Sequence, residues 1–249
     1  MSAIEEPPVL QVEGLTKRYG DLTVVDDVTF SVRAGETVGI LGPNGAGKTT
    51  TIHMILGLVT PTAGTVRILG RDPHHDRGVL EQVGFTATYV SLPQTLTVRE
   101  NLRVFARMYG VRNAEDRISD LVERLKITHL ADRPTRHLSS GQATMAHVAK
   151  SLLASPRLLL LDEPTASLDP DAADRARRQI QRIAAEEGLT QLITSHNMKE
   201  VEELCDRILF IMHGRVVAYG TAAELGERFQ ADDLEQVFLR IARAPEEVG

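Results

Sequence analysis

Residues 37–56 read TVGILGPNGAGKTTTIHMIL: a short apolar run, a glycine-rich turn, then a helix-forming segment. TVGIL (37–41) has the composition of a buried strand, and KTTTIHMIL that of a helix. Between them GPNGAGKT (42–49) fits G-x-x-x-x-G-K-[ST], and the strand before and helix after are the context that gives this pattern its meaning. Gly42, Gly45 and Gly47 let the backbone turn so that its N–H groups point inward at phosphate oxygens. The helix that follows presents its free N–H groups and the positive end of its dipole to the same anion. Lys48 supplies a mobile positive charge for β- and γ-phosphates, and Thr49 a hydroxyl for Mg²⁺. Pro43, Asn44, Ala46 and Thr50 complete the loop. The stretch therefore predicts a nucleoside triphosphate site.

Working outward, VLQVEGL (9–15) and VVDDVTFSV (24–32) alternate with period two, and TVRIL (65–69) follows a PTAG turn at 61–64. These make the first eighty residues strand-rich, and an N-terminal antiparallel β subdomain is expected there. The middle is helical: Val98, Leu102, Phe105 and Met108, then Ile118, Leu121, Val122 and Leu125, recur at helical spacing and read as packed core. From residue 157, strand RLLLLDE, helix 170–187, strand TQLITS, helix 197–205 and strand RILFIM alternate. Apolar strands alternating with helices predict an α/β fold with a mainly parallel sheet covered on both faces. The expected organisation is one domain over 9–242. Its core is 9–87 and 156–230, its helical insert 88–155, and its C-terminal helix 232–243.

The bulk numbers bound the function. A chain of 249 residues with 42% apolar and 25% charged residues has the composition of a folded globular protein. Its net charge of −6 disfavours a nucleic-acid partner. Cys205 is the single cysteine, so no internal disulfide forms, which fits a reducing compartment. MSAIEEPPVL lacks the basic start and apolar stretch of a signal peptide. LLLL (158–161) and ILFIM (208–212) are too short to cross a bilayer. A membrane role would need another chain to span the bilayer.

LLLLDEPTASLD (158–169) places four leucines on a buried strand and two carboxylates at its C-terminal end, where open α/β sheets hold ligands. Asp162 is suited to holding Mg²⁺ through water. Glu163 is suited to orienting or deprotonating a water in line with the γ-phosphate.

With these motifs the chain resembles the nucleotide-binding subunit of an ATP-binding cassette (ABC) transporter, from about residue 9 to 242. LSSGQ (138–142) resembles the family signature LSGGQ. The resemblance implies that Ser139, Ser140, Gly141 and Gln142 cap the γ-phosphate bound by a second copy of the chain. It also implies that Tyr19 stacks on adenine, that Asp169 in SLD (167–169) crosses the dimer interface, and that His196 contacts the γ-phosphate. A lone tyrosine is more often a packing residue and a lone histidine a structural one, so Tyr19 rests on the resemblance, while His196 is also favoured by its place after an apolar strand and at the start of a helix. His74 and His75 have no metal-ligand spacing and read as solvated loop residues.

Three positions depart from the family pattern. The family glutamine lies eight positions before the LTVREN motif, which begins here at Leu96, so Thr88 occupies its place. Thr88 is then the candidate third Mg²⁺ contact beside Thr49 and Asp162, and Gln94 is an exposed loop residue. Ser140 replaces a signature glycine, tolerable where φ is negative. Met145 replaces an arginine and removes a charge from the expected dimer interface.

The resemblance implies an ATP hydrolase whose cofactors are ATP and Mg²⁺. Two copies close head to tail on ATP and drive a separate transmembrane permease from the cytoplasmic face of the membrane. The tail DDLEQVFLRIAR (232–243) and LTVRENLRVFARMYG resemble exporters with short six-helix permeases. A soluble ATPase that remodels a protein or ribosomal partner, and a regulatory module that binds ATP without hydrolysis, are the alternatives.

Overall fold

The structure is a computed structural model and describes residues 7–87 and 91–243. Thr88 lies outside the described residues. The chain begins with β1 (Leu10–Tyr19) and β2 (Leu22–Val32), joined by a tight turn and paired antiparallel. β3 (Thr37–Leu41) leads through the glycine loop into α1 (Lys48–Ile55), and β4 (Ala63–Ile68) returns to pair antiparallel with β1. A 3₁₀ turn at Arg77–Gln82 precedes β5 (Val83–Ala87). Three helices follow: α2 (Val98–Met108), α3 (Ala114–Arg124) and α4 (Ser140–Leu152). The chain then runs through β6 (Leu158–Asp162), α5 (Pro170–Glu187), β7 (Thr190–Ser195) and α6 (Met198–Leu204). It ends with β8 (Arg207–Met212), β9 (Arg215–Gly220), α7 (Ala222–Phe229) and α8 (Leu234–Arg243).

Among the described residues these strands form two sheets. One is three-stranded and antiparallel, in the order β2-β1-β4; the other is six-stranded, in the order β5-β6-β7-β3-β8-β9. The second is parallel except for the β8–β9 pair. The α/β class with its antiparallel subdomain is thus the observed fold.

The leucines of β6 show why this sheet needs cover on both faces. Leu158 and Leu160 point into a core shared with Val38, Ile40 and the three-stranded sheet, while Leu159 and Leu161 point into a core shared with α4 and α5. Alternate side chains of a strand face opposite ways, so a run of four leucines serves two cores at once. Each buried leucine contributes about 2 kcal/mol. The second core reaches without a break from α2 and α3 through α4 to β6 and α5, so the helical segment shares its hydrophobic interior with the sheet. Arg117 and Arg124 of α3 add ion pairs to Glu187 of α5.

Local chemistry fixes the helix starts. Thr97 with Glu100, Ser139 with Gln142, and Thr221 with Glu224 each exchange hydrogen bonds in a capping box, holding the first turns of α2, α4 and α7. Leu234 and Val237 of α8 are buried against Leu41 and Phe210, so the terminal stripe is a packed helix face.

Several expectations change. β5, β9 and α7 were not anticipated. β4 starts at Ala63 and ends at Ile68, because Leu69 turns into the left-handed region at φ 51°. Met108 does not join the core: it ends α2 and is 70% exposed. His74 is not solvated either, since its Nε2 lies 2.9 Å from the carbonyl of Met54 in α1. His75 is exposed and pairs with Asp72.

Candidate functional site

The loop between β3 and α1 is shaped by two glycines. Gly47, the N-cap of α1, has φ 102°, and a Cβ there would meet the carbonyl oxygen of Val24 at 2.7 Å. A Cβ at Gly42 would stand 2.2 Å from the carbonyl oxygen of Ile211. Gly47 offers no side-chain cap, so the first N–H groups of α1 are left for an external anion. Lys48 folds back over the loop. Its Nζ donates to the carbonyls of Gly42 (2.7 Å) and Pro43 (3.2 Å) and stands 3.3 Å from Glu163 Oε1.

Sheet register supplies the acidic side. β6 and β7 pair so that Asp162 lies opposite Thr194, and β5 and β6 so that Ala87 lies opposite Asp162. Asp162 is buried at the end of β6. Its Oδ1 accepts from Thr194 Oγ1 at 2.5 Å, and its Oδ2 accepts from Thr49 Oγ1 at 3.1 Å. The next residue, Glu163, adopts φ 52°, a left-handed turn that costs a non-glycine residue about 1–2 kcal/mol. Two bonds from its N–H, to Thr194 O (3.1 Å) and Thr194 Oγ1 (3.0 Å), hold that turn. The turn swings the Glu163 carboxylate off the strand so that Oε1 faces Lys48 and Oε2 lies 2.7 Å from His196 Nδ1. Glu163 and His196 line a cleft of about 380 Å³ with residues 44–50, Val24 and Ala166, and Asp162 reaches its wall through Thr49. One mobile cation, two hydroxyl–carboxylate contacts, an imidazole and a row of free N–H groups converge there, as transfer or hydrolysis of a phosphoryl group requires.

Sequence reasoning did not identify Thr194 or the support behind the cleft. Glu200 is 2% exposed. Its carboxylate accepts from Ser195 Oγ at 2.6 Å and from Thr165 Oγ1, so it ties the residue before His196 to the turn after Glu163. The available signal was a glutamate one helical turn after His196 on an otherwise apolar face.

Other residues named from the sequence lie elsewhere. Tyr19 ends β1, is 51% exposed, carries Lys17 Nζ 4.8 Å above its ring, and does not line the cleft. Ser139, Ser140, Gly141 and Gln142 open α4 outside the cleft of their own chain. Ser139 Oγ accepts from Gln142 N–H, which leaves its own O–H free to donate outward. Ser140 is the first residue of α4 and is not among the positive-φ residues, so its Cβ is accommodated. Asp169 caps α5 through Ala172 N–H at 2.9 Å. Met145 is buried in the helical core, where an apolar side chain packs and a charge would not. Gln94 is exposed.

Comparison with known proteins places this geometry. Residues 25–166 match the family model described as ABC transporter. The chain is 43% identical over 225 residues to the Nod factor export ATP-binding protein I of Ralstonia nicotianae, covering 89% of this chain and 70% of that protein. It is 36% identical over 232 residues to the linearmycin resistance ATP-binding protein LnrL of Bacillus subtilis, covering 92% and 74%. A solved ATP-binding subunit of an ABC transporter superposes with a TM-score of 0.84 at 30% identity, covering 94% of this chain and all of that one.

Proposed function

The chain belongs to the ABC transporter family, as an ATP-binding, ATP-hydrolysing subunit, and we propose that it powers export through a separate permease by closing head to tail on a second copy. The observation that carries the reading is the Glu163 carboxylate, held between Lys48 and His196 at the mouth of a phosphate-shaped loop.

In the proposed cycle the loop N–H groups from Gly42 to Thr50 and the Lys48 ammonium receive the triphosphate. Tyr19 stacks on the adenine. Ser139, Ser140, Gly141 and Gln142 of the second copy close over the γ-phosphate, and Asp169 lies at the joint between copies. Glu163 takes a proton from the attacking water and His196 holds the γ-phosphate, so hydrolysis removes the group that bridges the copies. The Thr49 hydroxyl and Asp162 carboxylate, 3.1 Å apart, are a hard-oxygen pair of the kind Mg²⁺ takes. When bound, the ion would neutralise charge on the β- and γ-phosphates; Thr88 is the third candidate contact.

Export follows from the relatives, whose names assign them to Nod factor export and linearmycin resistance. No helix among the described residues is long and apolar enough to cross a membrane; in this reading a second chain forms the passage and this one sits against it at the cytoplasmic face. We place the contact on the helical segment of residues 88–155, beside β5. The test is ATP turnover by the complex purified with its membrane chain. Activity no higher than that of the Glu163→Gln complex would overturn the hydrolytic reading. Absence of any membrane chain in stoichiometric amount would overturn the permease reading.

A further inference from the structure

Tyr19, the residue proposed to stack on adenine, has one ring face already taken. Lys17, two residues earlier on β1, carries its Nζ 4.8 Å from the centre of the ring. A cation in that place is attracted to the π electrons of the face it covers. Tyr19 is 51% exposed, which leaves the opposite face of the ring to solvent. Val24, which lines the phosphate cleft, stands on β2 between Leu22 and Val25, the register partners of Tyr19 and Lys17. The ring thus stands one strand over from the cleft wall.

Lys17 is not a loose surface lysine. It is half-buried, and its Nζ donates to the carbonyl of Thr60 at 2.8 Å. Two more bonds join the same strand end to the same loop: Thr62 N–H donates to the carbonyl of Thr16 (2.8 Å), and Arg18 N–H to Thr62 Oγ1 (3.0 Å). That loop is itself fixed to α1, since the N–H groups of Leu58 and Val59 donate to the carbonyl of His53 at 2.9 and 3.2 Å. The helix begins at Lys48, in the phosphate loop. A continuous hydrogen-bonded path therefore runs from the phosphate loop through α1 and residues 58–62 to the ammonium above Tyr19.

We infer that Lys17 is a positioning residue for the base of the nucleotide: its ammonium covers one face of Tyr19 and holds the ring ready for stacking on the other. The inference rests on the reading of Tyr19 in the proposed cycle and adds the residue that sets its orientation. A tyrosine at a strand end has two torsions free to turn, and fixing them before the nucleotide arrives removes an ordering cost from binding. Occupying one face also leaves the base a single side on which to stack. Because Lys17 is tied to the helix that begins in the phosphate loop, the span between the base platform and that loop is set as well. Lys17 acts at the base end, so it governs how tightly the nucleotide is held and not the hydrolytic step at Glu163.

The experiment is equilibrium binding of ATP, and of inorganic tripolyphosphate, which has no base, to the full-length chain, with turnover followed on the same preparations. Lys17→Met keeps the aliphatic length and removes the charge. It is expected to weaken ATP binding and raise KM about three- to tenfold, the size of one aromatic contact and its ordering cost. Its kcat and its binding of tripolyphosphate are expected to stay unchanged. Lys17→Arg, whose guanidinium also lies over aromatic faces and donates to carbonyls, is expected to keep most of the affinity. In a Tyr19→Ala chain, which should itself bind ATP more weakly, Lys17→Met is expected to add nothing further. Wild-type ATP affinity in Lys17→Met, an equal loss for tripolyphosphate, or effects that add in the double variant each overturn the inference while leaving the stacking reading in place. Unchanged ATP affinity in Tyr19→Ala overturns the stacking reading and the inference with it.

Discussion

Oε2 of Glu163 lies 2.7 Å from Nδ1 of His196, across two strand ends and 33 residues of chain. The other carboxylate oxygen lies 3.3 Å from Lys48 Nζ. The group proposed as base thus pairs with the cation that the triphosphate needs. Glu163→Gln is expected to lower turnover by about 10²–10⁴-fold, the usual contribution of a positioned base. Because glutamine removes the anion that competes for Lys48, ATP affinity should be kept or rise a few-fold. Single-turnover hydrolysis and equilibrium nucleotide binding measure the two separately. Loss of binding in parallel with turnover would show that Glu163 serves the loop's structure instead.

Glu200 is a buried carboxylate whose two oxygens are satisfied by Thr165 and Ser195. Removing it leaves two hydroxyls without their acceptor in a closed space, at about 1–3 kcal/mol each. Glu200→Ala is expected to lower the denaturant midpoint by an amount equivalent to about 2–4 kcal/mol. Glu200→Gln keeps the volume and should recover most of that stability. Its turnover should still fall, with KM for ATP little changed, because the residue sets the spacing of the Glu163 and His196 loops and not the phosphate loop. Full activity in Glu200→Gln would reduce the role to packing.

What sequence could and could not reveal divides along physical lines. GPNGAGKT and LLLLDE are legible because their chemistry is local: a turn, a helix start and a strand end are each written within a few residues. The alternation of apolar strands and helices likewise reads out as the covered parallel sheet. Thr194 was hidden because its partnership with Asp162 is created by register between β6 and β7, which no local pattern states. β9 was missed because RVVAYG is an edge strand whose pattern is broken by charge and small residues, and β5 because VGFTA is short and half small. The helical stripe of α2 misled at Met108 because periodicity gives a face, not whether a neighbour reaches its last turn.

Cys205 follows α6 with its thiol packed against the sheet. Burial pushes its pKa far above the ordinary thiol range, and the carboxylates of Glu200 and Asp206 push it the same way. The thiolate is the reactive form, so a raised pKa slows alkylation. Iodoacetamide at pH 8 should label the native chain at least about 100-fold more slowly than the urea-unfolded chain. Mass spectrometry over time gives both rates. Labelling of the native chain within minutes would show that the α6 end opens readily.

His147 stands on α4 beside a cavity of about 150 Å³ also lined by Ser140, Thr144 and Ser167, and its buried Nδ1 has no hydrogen-bond partner among the described residues. Burial, helped by the nearby Lys150 charge, pushes its pKa down to about 4 from an ordinary 6.5. The neutral imidazole is therefore the form the fold accepts. Above about pH 6.5 both folded and unfolded chains hold it neutral and no stability is lost. Between about 6.5 and 4 the unfolded chain binds a proton that the folded chain refuses, so stability falls as pH falls. His147→Gln removes this linkage. It is expected to lose less stability than the wild type between pH 7 and pH 4.5, by on the order of 1 kcal/mol after allowance for the solvent that reaches the ring. Urea denaturation at a series of pH values measures the difference. Parallel stability profiles for the two proteins would mean that His147 protonates inside the folded chain, and that the cavity beside it admits the charge.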